Sequence, residues 1–135
     1  MKRFVRCLLT ISILLFACKK HEKKLTGDWE LVSSYVNGNL QPESDTCTIL
    51  TIRRNKDQFF LRRRSCSSNS MISTAEGEWE FINKKKTIKM KFIQTSIPNP
   101  QNSGVWHWDI LTLTEDELTI EYDSWDKIKY EFKKQ

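Results

Sequence analysis

Thr87-Ile88-Lys89-Met90-Lys91-Phe92 sets Ile88, Met90 and Phe92 on one face of an extended chain and Thr87, Lys89 and Lys91 on the other. The same period of two returns near the end, where Leu118, Ile120 and Tyr122 alternate with Thr119 and Glu121, and Ile128, Tyr130 and Phe132 with Lys129, Glu131 and Lys133. One face of each segment is apolar and the other is wet, which is the pattern of a half-buried strand. Working outward, β-branched and aromatic residues mark strands at about 28–36, 46–54, 58–65, 71–82, 86–93, 105–114, 117–122 and 127–133, and no segment asks for a helix.

Short polar links such as Asn55-Lys56-Asp57, Asn83-Lys84-Lys85, Glu115-Asp116 and Ser124-Trp125-Asp126 separate these segments, so neighbours should pair antiparallel. Longer loops are expected only at 37–45 and 96–103, the second carrying Pro98 and Pro100, which cannot donate to a ladder. Eight antiparallel strands with one apolar face hide it most simply by curling into an up-and-down barrel, which also removes the exposed edges. The expected fold class is therefore all-β.

Composition agrees with a single small domain: 135 residues, 39% hydrophobic and 29% charged, with 4 glycines and 3 prolines. That excludes a polytopic membrane protein, a large multidomain enzyme and a disordered chain.

The first 17 residues are expected to lie outside the fold. Lys2, Arg3 and Arg6 precede a mostly apolar run from Cys7 to Ala17, which reads as an export signal too short to span a membrane comfortably. Its end, Leu15-Phe16-Ala17-Cys18, resembles the lipobox of bacterial lipoproteins. The resemblance implies cleavage before Cys18, acylation of that cysteine and attachment of the exported protein to a membrane of the cell envelope. Residues 18–24 would form a lipidated basic tether and 25–135 the barrel domain. Removing Lys2, Arg3 and Arg6 takes 22 basic residues to 19 against an unchanged 17 acidic ones, or +2 in place of +5, so a nucleic-acid partner loses its support. Lys19, Lys20, Lys23 and Lys24 would add electrostatic attraction to an anionic surface beside the acyl chains.

With Cys7 in the signal and Cys18 assigned to lipid, Cys47 and Cys66 remain in an oxidising compartment, and a disulfide is the economical reading. It would close a loop of about 20 residues and contribute about 3 kcal/mol. A metal or thiol site has little behind it, because no C-x-x-C is present and His21 and His107 are the only histidines. No cofactor motif, phosphate loop or nucleophile elbow appears, so no enzymatic activity, catalytic residue, metal or cofactor is expected.

Gly27-Asp28-Trp29-Glu30-Leu31 and Gly77-Glu78-Trp79-Glu80-Phe81 share a G-acidic-W-E-apolar pattern, which suggests glycines that let strands bend and indoles that plug an interior. With Trp108-Asp109-Ile110-Leu111-Thr112-Leu113-Thr114-Glu115-Asp116-Glu117-Leu118 and the closing Tyr130-Glu131-Phe132, the order of elements over residues 25–134 resembles the lipocalin-like domains of small bacterial lipoproteins. That resemblance implies an eight-stranded meander barrel and a small apolar molecule bound in its lumen. It also implies a basic residue of the last strand packed on the first tryptophan, a part that Lys127 or Lys129 would play. A second lipoprotein family, with a heat-shock or secretion-linked domain, also opens with W-x-L and Asn-Gly, as Trp29-Glu30-Leu31 and Asn37-Gly38 do, but its Gly-Cys-Asn signature is absent after Cys47 and Cys66.

Trp29, Trp79, Phe92 and Trp108 are the expected apolar walls of a ligand site, with Trp106, His107 and Trp108 near its mouth. Among Arg62, Arg63 and Arg64 at least one must lean inward, since successive strand residues face opposite ways. Arg63 is the candidate polar anchor. The alternative is a packed barrel that serves as a structural or protein-interaction module of the envelope; an interior of several hundred Å3 would favour ligand carriage. The protein is expected to be a monomer.

Overall fold

The computed structural model describes residues 20–42, 45–55, 57–96 and 104–135. Nine strands form one antiparallel sheet: β1 Gly27–Val36, β2 Asn39–Leu40, β3 Thr46–Arg53, β4 Gln58–Ser65, β5 Met71–Ile82, β6 Thr87–Thr95, β7 Val105–Leu113, β8 Glu117–Asp123 and β9 Lys127–Lys134. β2 is a two-residue flap folded back on the end of β1, and the other eight run in chain order until β9 closes on β1. The result is the expected up-and-down barrel, its strand boundaries within two residues of those read from the alternation.

Antiparallel order sorts the connections to two ends. One end, the base, collects the β3–β4, β5–β6 and β7–β8 turns and both ends of the described chain. The other end, the mouth, collects the segments between β1 and β3, β4 and β5, β6 and β7, and β8 and β9.

One departure from the sequence reading lies at the base. Residues 20–25 are helical, where only a polar tether was expected. Leu25 is completely buried and its carbonyl accepts a hydrogen bond from Trp29 Nε1 at 2.7 Å. The segment closes with Thr26 N and Oγ1 both donating to the Glu22 carbonyl at 3.0 and 2.8 Å. Six residues are too few to hold a helix by propensity, so packing over the base holds this one.

The base is solid. Trp29, Leu50, Ile52, Phe59, Ile88 and Leu118 are at most 1% exposed, and Trp79, also buried, donates its Nε1 to the Arg53 carbonyl at 3.0 Å. Both tryptophans of the repeated pattern therefore plug the interior. Their glycines serve close approach: at Gly27 (φ +141°) a Cβ would stand 2.5 Å from Lys134 Cε, and at Gly77 it would collide with the Lys91 carbonyl across a β-bulge.

Outward faces carry the charge, with cross-strand pairs such as Lys89–Glu80 at 2.7 Å and Lys127–Glu121 at 2.9 Å. Such exposed pairs contribute little to stability. A bulge between Leu31 and Ser33 flips the rest of β1, so Ser34 faces the lumen and Tyr35 turns outward to Lys129, whose Nζ is 3.8 Å from its ring centroid.

Candidate functional site

The upper lumen holds a cavity of about 220 Å3 that opens toward the mouth. Inward parity puts its lining there: Leu31 and Ser34 from β1, Thr46 and Thr48 from β3, Leu61 and Arg63 from β4, Trp106 and Trp108 from β7, and Tyr130 and Phe132 from β9. The wall is two-sided. β7 and β9 present aromatic rings, whereas Ser34, Thr46, Thr48 and Arg63 make the opposite side polar.

The aromatic side is a continuous set of ring contacts. Trp106 stacks on Tyr122 at 5.7 Å and 15°, Trp108 lies 6.5 Å from the same ring, and Tyr122 reaches Tyr130 at 6.0 Å. Burial pushes the Tyr122 phenol well above its ordinary range, and the neighbouring Tyr130, with which it hydrogen-bonds, pushes the same way. The Tyr122 phenol therefore stays neutral at any physiological pH.

Both sides contain groups without partners. Arg63 is half-buried, and among the described residues no carboxylate lies within ion-pair distance of it. Ser73, its direct neighbour across the β4–β5 ladder, is buried with an unbonded Oγ, and Trp108, 1% exposed, has an unbonded Nε1. Buried donors normally find acceptors, so these two inward-facing orphans are unusual, as is a third, Arg62 Nε on the outer face.

The mouth is pinned on the polar side by the Cys47–Cys66 disulfide, with Cα atoms 5.2 Å apart. Asp45 organises the adjoining turn: Ser65 and Ser67 hydroxyls each donate to its carboxylate at 2.7 Å and the Ser67 amide at 2.9 Å. These bonds pull the Asp45 carboxyl below its ordinary value of 3.8. Beside the disulfide the wall parts, because β1 pairs with β3 only from Gly27 to Glu30. A side cleft lined by Val32, Leu40, Pro42, Cys47 and Cys66 fills that gap and shares Leu31, Ser34 and Thr46 with the lumen cavity.

Of the residues expected to bind ligand, Arg63 and Trp108 line this cavity. Trp29 and Trp79 sit below it in the packed base. Phe92 stands behind the wall, edge-on to Phe59 at 5.1 Å and to Trp106 at 4.6 Å, so it props the lining ring. His107 does not join Trp106 and Trp108 at the site, because it is exposed on the outer face of β7 opposite Lys89. Arg62 faces outward too, donating to Thr51 Oγ1 at 3.0 Å, and Arg64 donates to Asn69 Oδ1 at 3.3 Å. Cys18, the lipidation candidate, the signal segment and the two prolines of the 97–103 loop fall outside the described residues. Among the described residues no group of three or more His, Cys, Asp or Glu is arranged to hold a metal ion.

The cation that packs on the first tryptophan is neither Lys127 nor Lys129. Both are on the outer face, bound to Glu121 and Glu131. Lys134 does it, its Nζ 4.8 Å from the Trp29 ring centroid and donating to the Lys24 carbonyl at 2.9 Å. It thereby latches the helical segment to the last strand. Even parity with Tyr130 and Phe132 was the available signal: Lys134 continues the inward face of β9, whereas Lys127 and Lys129 are odd.

A meander barrel with a blind base, a helical plug latched by a cation over a buried tryptophan, and a hollow at the far end defines a calyx-type barrel. The lipocalin-like domain family model matches residues 25–120, and the chain belongs to that family. A lipocalin-like protein from Bacteroides uniformis ATCC 8492 has the same fold, with a TM-score of 0.61 at 16% identity over 83% of this chain and 99% of that one. No curated protein matches.

Proposed function

We propose that this is a lipid-anchored lipoprotein of the bacterial cell envelope whose barrel binds a small hydrophobic or amphipathic molecule, and that it is not an enzyme. The carrying observation is the division of the lumen into a packed base and an aromatic-walled hollow at the mouth. At about 220 Å3 the hollow is smaller than the roughly 300–1,000 Å3 of typical ligand pockets, which favours a compact ring system over a long acyl chain. Membership of a family whose members are generally binding proteins supports the reading, as does the placement of the groups with chemical potential. His107 faces solvent away from the hollow, and Cys47 and Cys66 are joined to each other.

The anchor reading is supported by charge at the base. Lys20, Lys23, Arg53, Arg54, Lys84 and Lys86 are exposed on the helical segment and at the β3–β4 and β5–β6 turns, while the β7–β8 turn of the same end carries exposed Glu115, Asp116 and Glu117. Each base cation near an anionic surface adds about 1 kcal/mol to attachment. A lipidated Cys18 would hold the base against the membrane and turn the mouth away from it.

Two measurements test the proposal. Titrating the full chain in lipid nanodiscs with 2-naphthalenemethanol should quench tryptophan fluorescence saturably, and Leu61→Trp, which fills the hollow, should abolish the effect; an unsaturable response, or one indifferent to Leu61→Trp, would overturn the ligand reading. Cys18→Ser should move the protein from the membrane to the soluble fraction, and continued acylation of that variant would overturn the anchor. The second reading, a protein-interaction module, has its own observation in the exposed apolar groups Leu40, Met71, Ile72 and Trp125, the last 87% exposed. It gains if the hollow stays empty.

A further inference from the structure

Resting on the lumen-binding reading, we infer that the ligand is an anion, a compact ring system bearing a carboxylate or an equally compact acidic group, seated against Arg63, Ser73 and Trp108. The argument begins with what a barrel interior tolerates. A guanidinium drawn out of water needs compensation, normally from a carboxylate, and Arg63 has none among the described residues. Position 63 continues the inward row of Phe59 and Leu61, so the cation cannot leave the lumen without breaking the alternation of β4.

Three buried donors go unbonded: Arg62 Nε on the outer face, and Ser73 Oγ and Trp108 Nε1 on inward-facing residues. Trp108 Nε1 can only donate, and the Ser73 hydroxyl stands across the ladder from Arg63 with nothing to donate to. Arg63 offers a planar fork of donors that matches two carboxylate oxygens. A cation with two orphan donors asks for an acceptor-rich, negatively charged group, and no acceptor of the described lumen supplies it. The remaining features fit. Burial disfavours the phenolate of Tyr122, so that ring does not repel an incoming anion. The rings of Trp106, Tyr130 and Phe132 face the polar side across the hollow and suit a flat apolar body whose acidic group points the other way. Loss of the charge-assisted contact to Arg63 should weaken binding roughly ten- to hundredfold, the range expected for hydrogen bonds to a charged group.

The test compares 2-naphthoate with 2-naphthalenemethanol, which share a ring system and differ in charge, on the full chain in uncharged nanodiscs. Naphthoate should bind at least about tenfold more tightly. Arg63→Met should erase that preference, bringing the affinities for the two probes together, with an unchanged or raised denaturation midpoint as evidence of folding. Arg63→Lys, which keeps the charge and loses the fork, should keep part of the preference, and it carries the test if Arg63→Met fails to fold. Trp108→Phe, which keeps a ring and loses the donor, should weaken naphthoate several-fold more than the alcohol. Equal affinity for the two probes, or a preference that survives Arg63→Met, would overturn the inference while leaving the lumen-binding reading intact. Absence of binding by either probe would overturn both.

Discussion

The two ends of the barrel are built from the same alternating strands yet finished in opposite ways. At the base the inward positions hold large apolar side chains except where Gly77 makes room for Phe59, the polar atoms of Trp29 and Trp79 are spent on backbone carbonyls, and the helical segment with Lys134 seals what remains. At the mouth the inward positions turn to Thr46, Thr48, Arg63 and Ser73, two donors go unbonded, and order comes from a disulfide and the Asp45 turn instead of packing. Stability is concentrated at one end so that the other can remain hollow.

The sharpest way to break this contrast is to remove an indole from each end. Trp29→Ala should cost about 3–5 kcal/mol in urea unfolding, because the base cannot collapse around the void. Trp106→Ala should cost under about 2 kcal/mol, because its site already adjoins open space. Equal losses would show that the mouth is as tightly packed as the base.

Next in size is the disulfide. Replacing Cys47 and Cys66 by serine should lower stability by about 3 kcal/mol, as expected for a closed loop of 19 residues. Under native conditions amide exchange should accelerate first around residues 45–48 and 64–68, with the base amides of β8 and β9 still protected; uniform acceleration would deny the mouth its separate character.

The smallest effect concerns acid. The folded Asp45 carboxyl titrates below its ordinary value of 3.8, so the contribution of its serine contacts is present above that value and is lost as pH falls through the lowered folded one. Exchange at the Ser67 and Ser68 amides should therefore rise below about pH 4 while amides of the base hold, and Asp45→Asn should remove the dependence. A base that loosens over the same pH range would break the comparison.

Much of this was legible before any coordinates. Ile88, Met90 and Phe92 set the face of β6, and Phe59, Leu61 and Arg63 share one parity, which is why an inward arginine was foreseeable. The roles of the aromatics were less so, since alternation tells which wall a ring faces but not its height: Trp29, Trp79 and Trp108 all point inward, and only Trp108 reaches the hollow. Height depends on strand stagger and on bulges at Leu31/Ser33, Arg63/Arg64, Glu76/Gly77 and Ile110/Thr112, of which only Glu76/Gly77 carries a sequence mark, its glycine. The helical segment at 20–25 was missed because its stability comes from burying Leu25 against a base assembled from distant strands.

Side-chain alternation is a local property of extended backbone, and with the short polar links it was enough to dictate strands, their inner faces and their antiparallel order, while the pairing of Cys47 with Cys66 followed from the count of cysteines left after the signal and the lipid site. Closure of β9 on β1, the latch of Lys134 over Trp29, the outward turn of His107 and the isolation of Arg63 among unbonded donors depend on which residues meet across the barrel. Those meetings are fixed by register and stagger summed over eight ladders, a quantity that no single stretch of chain contains.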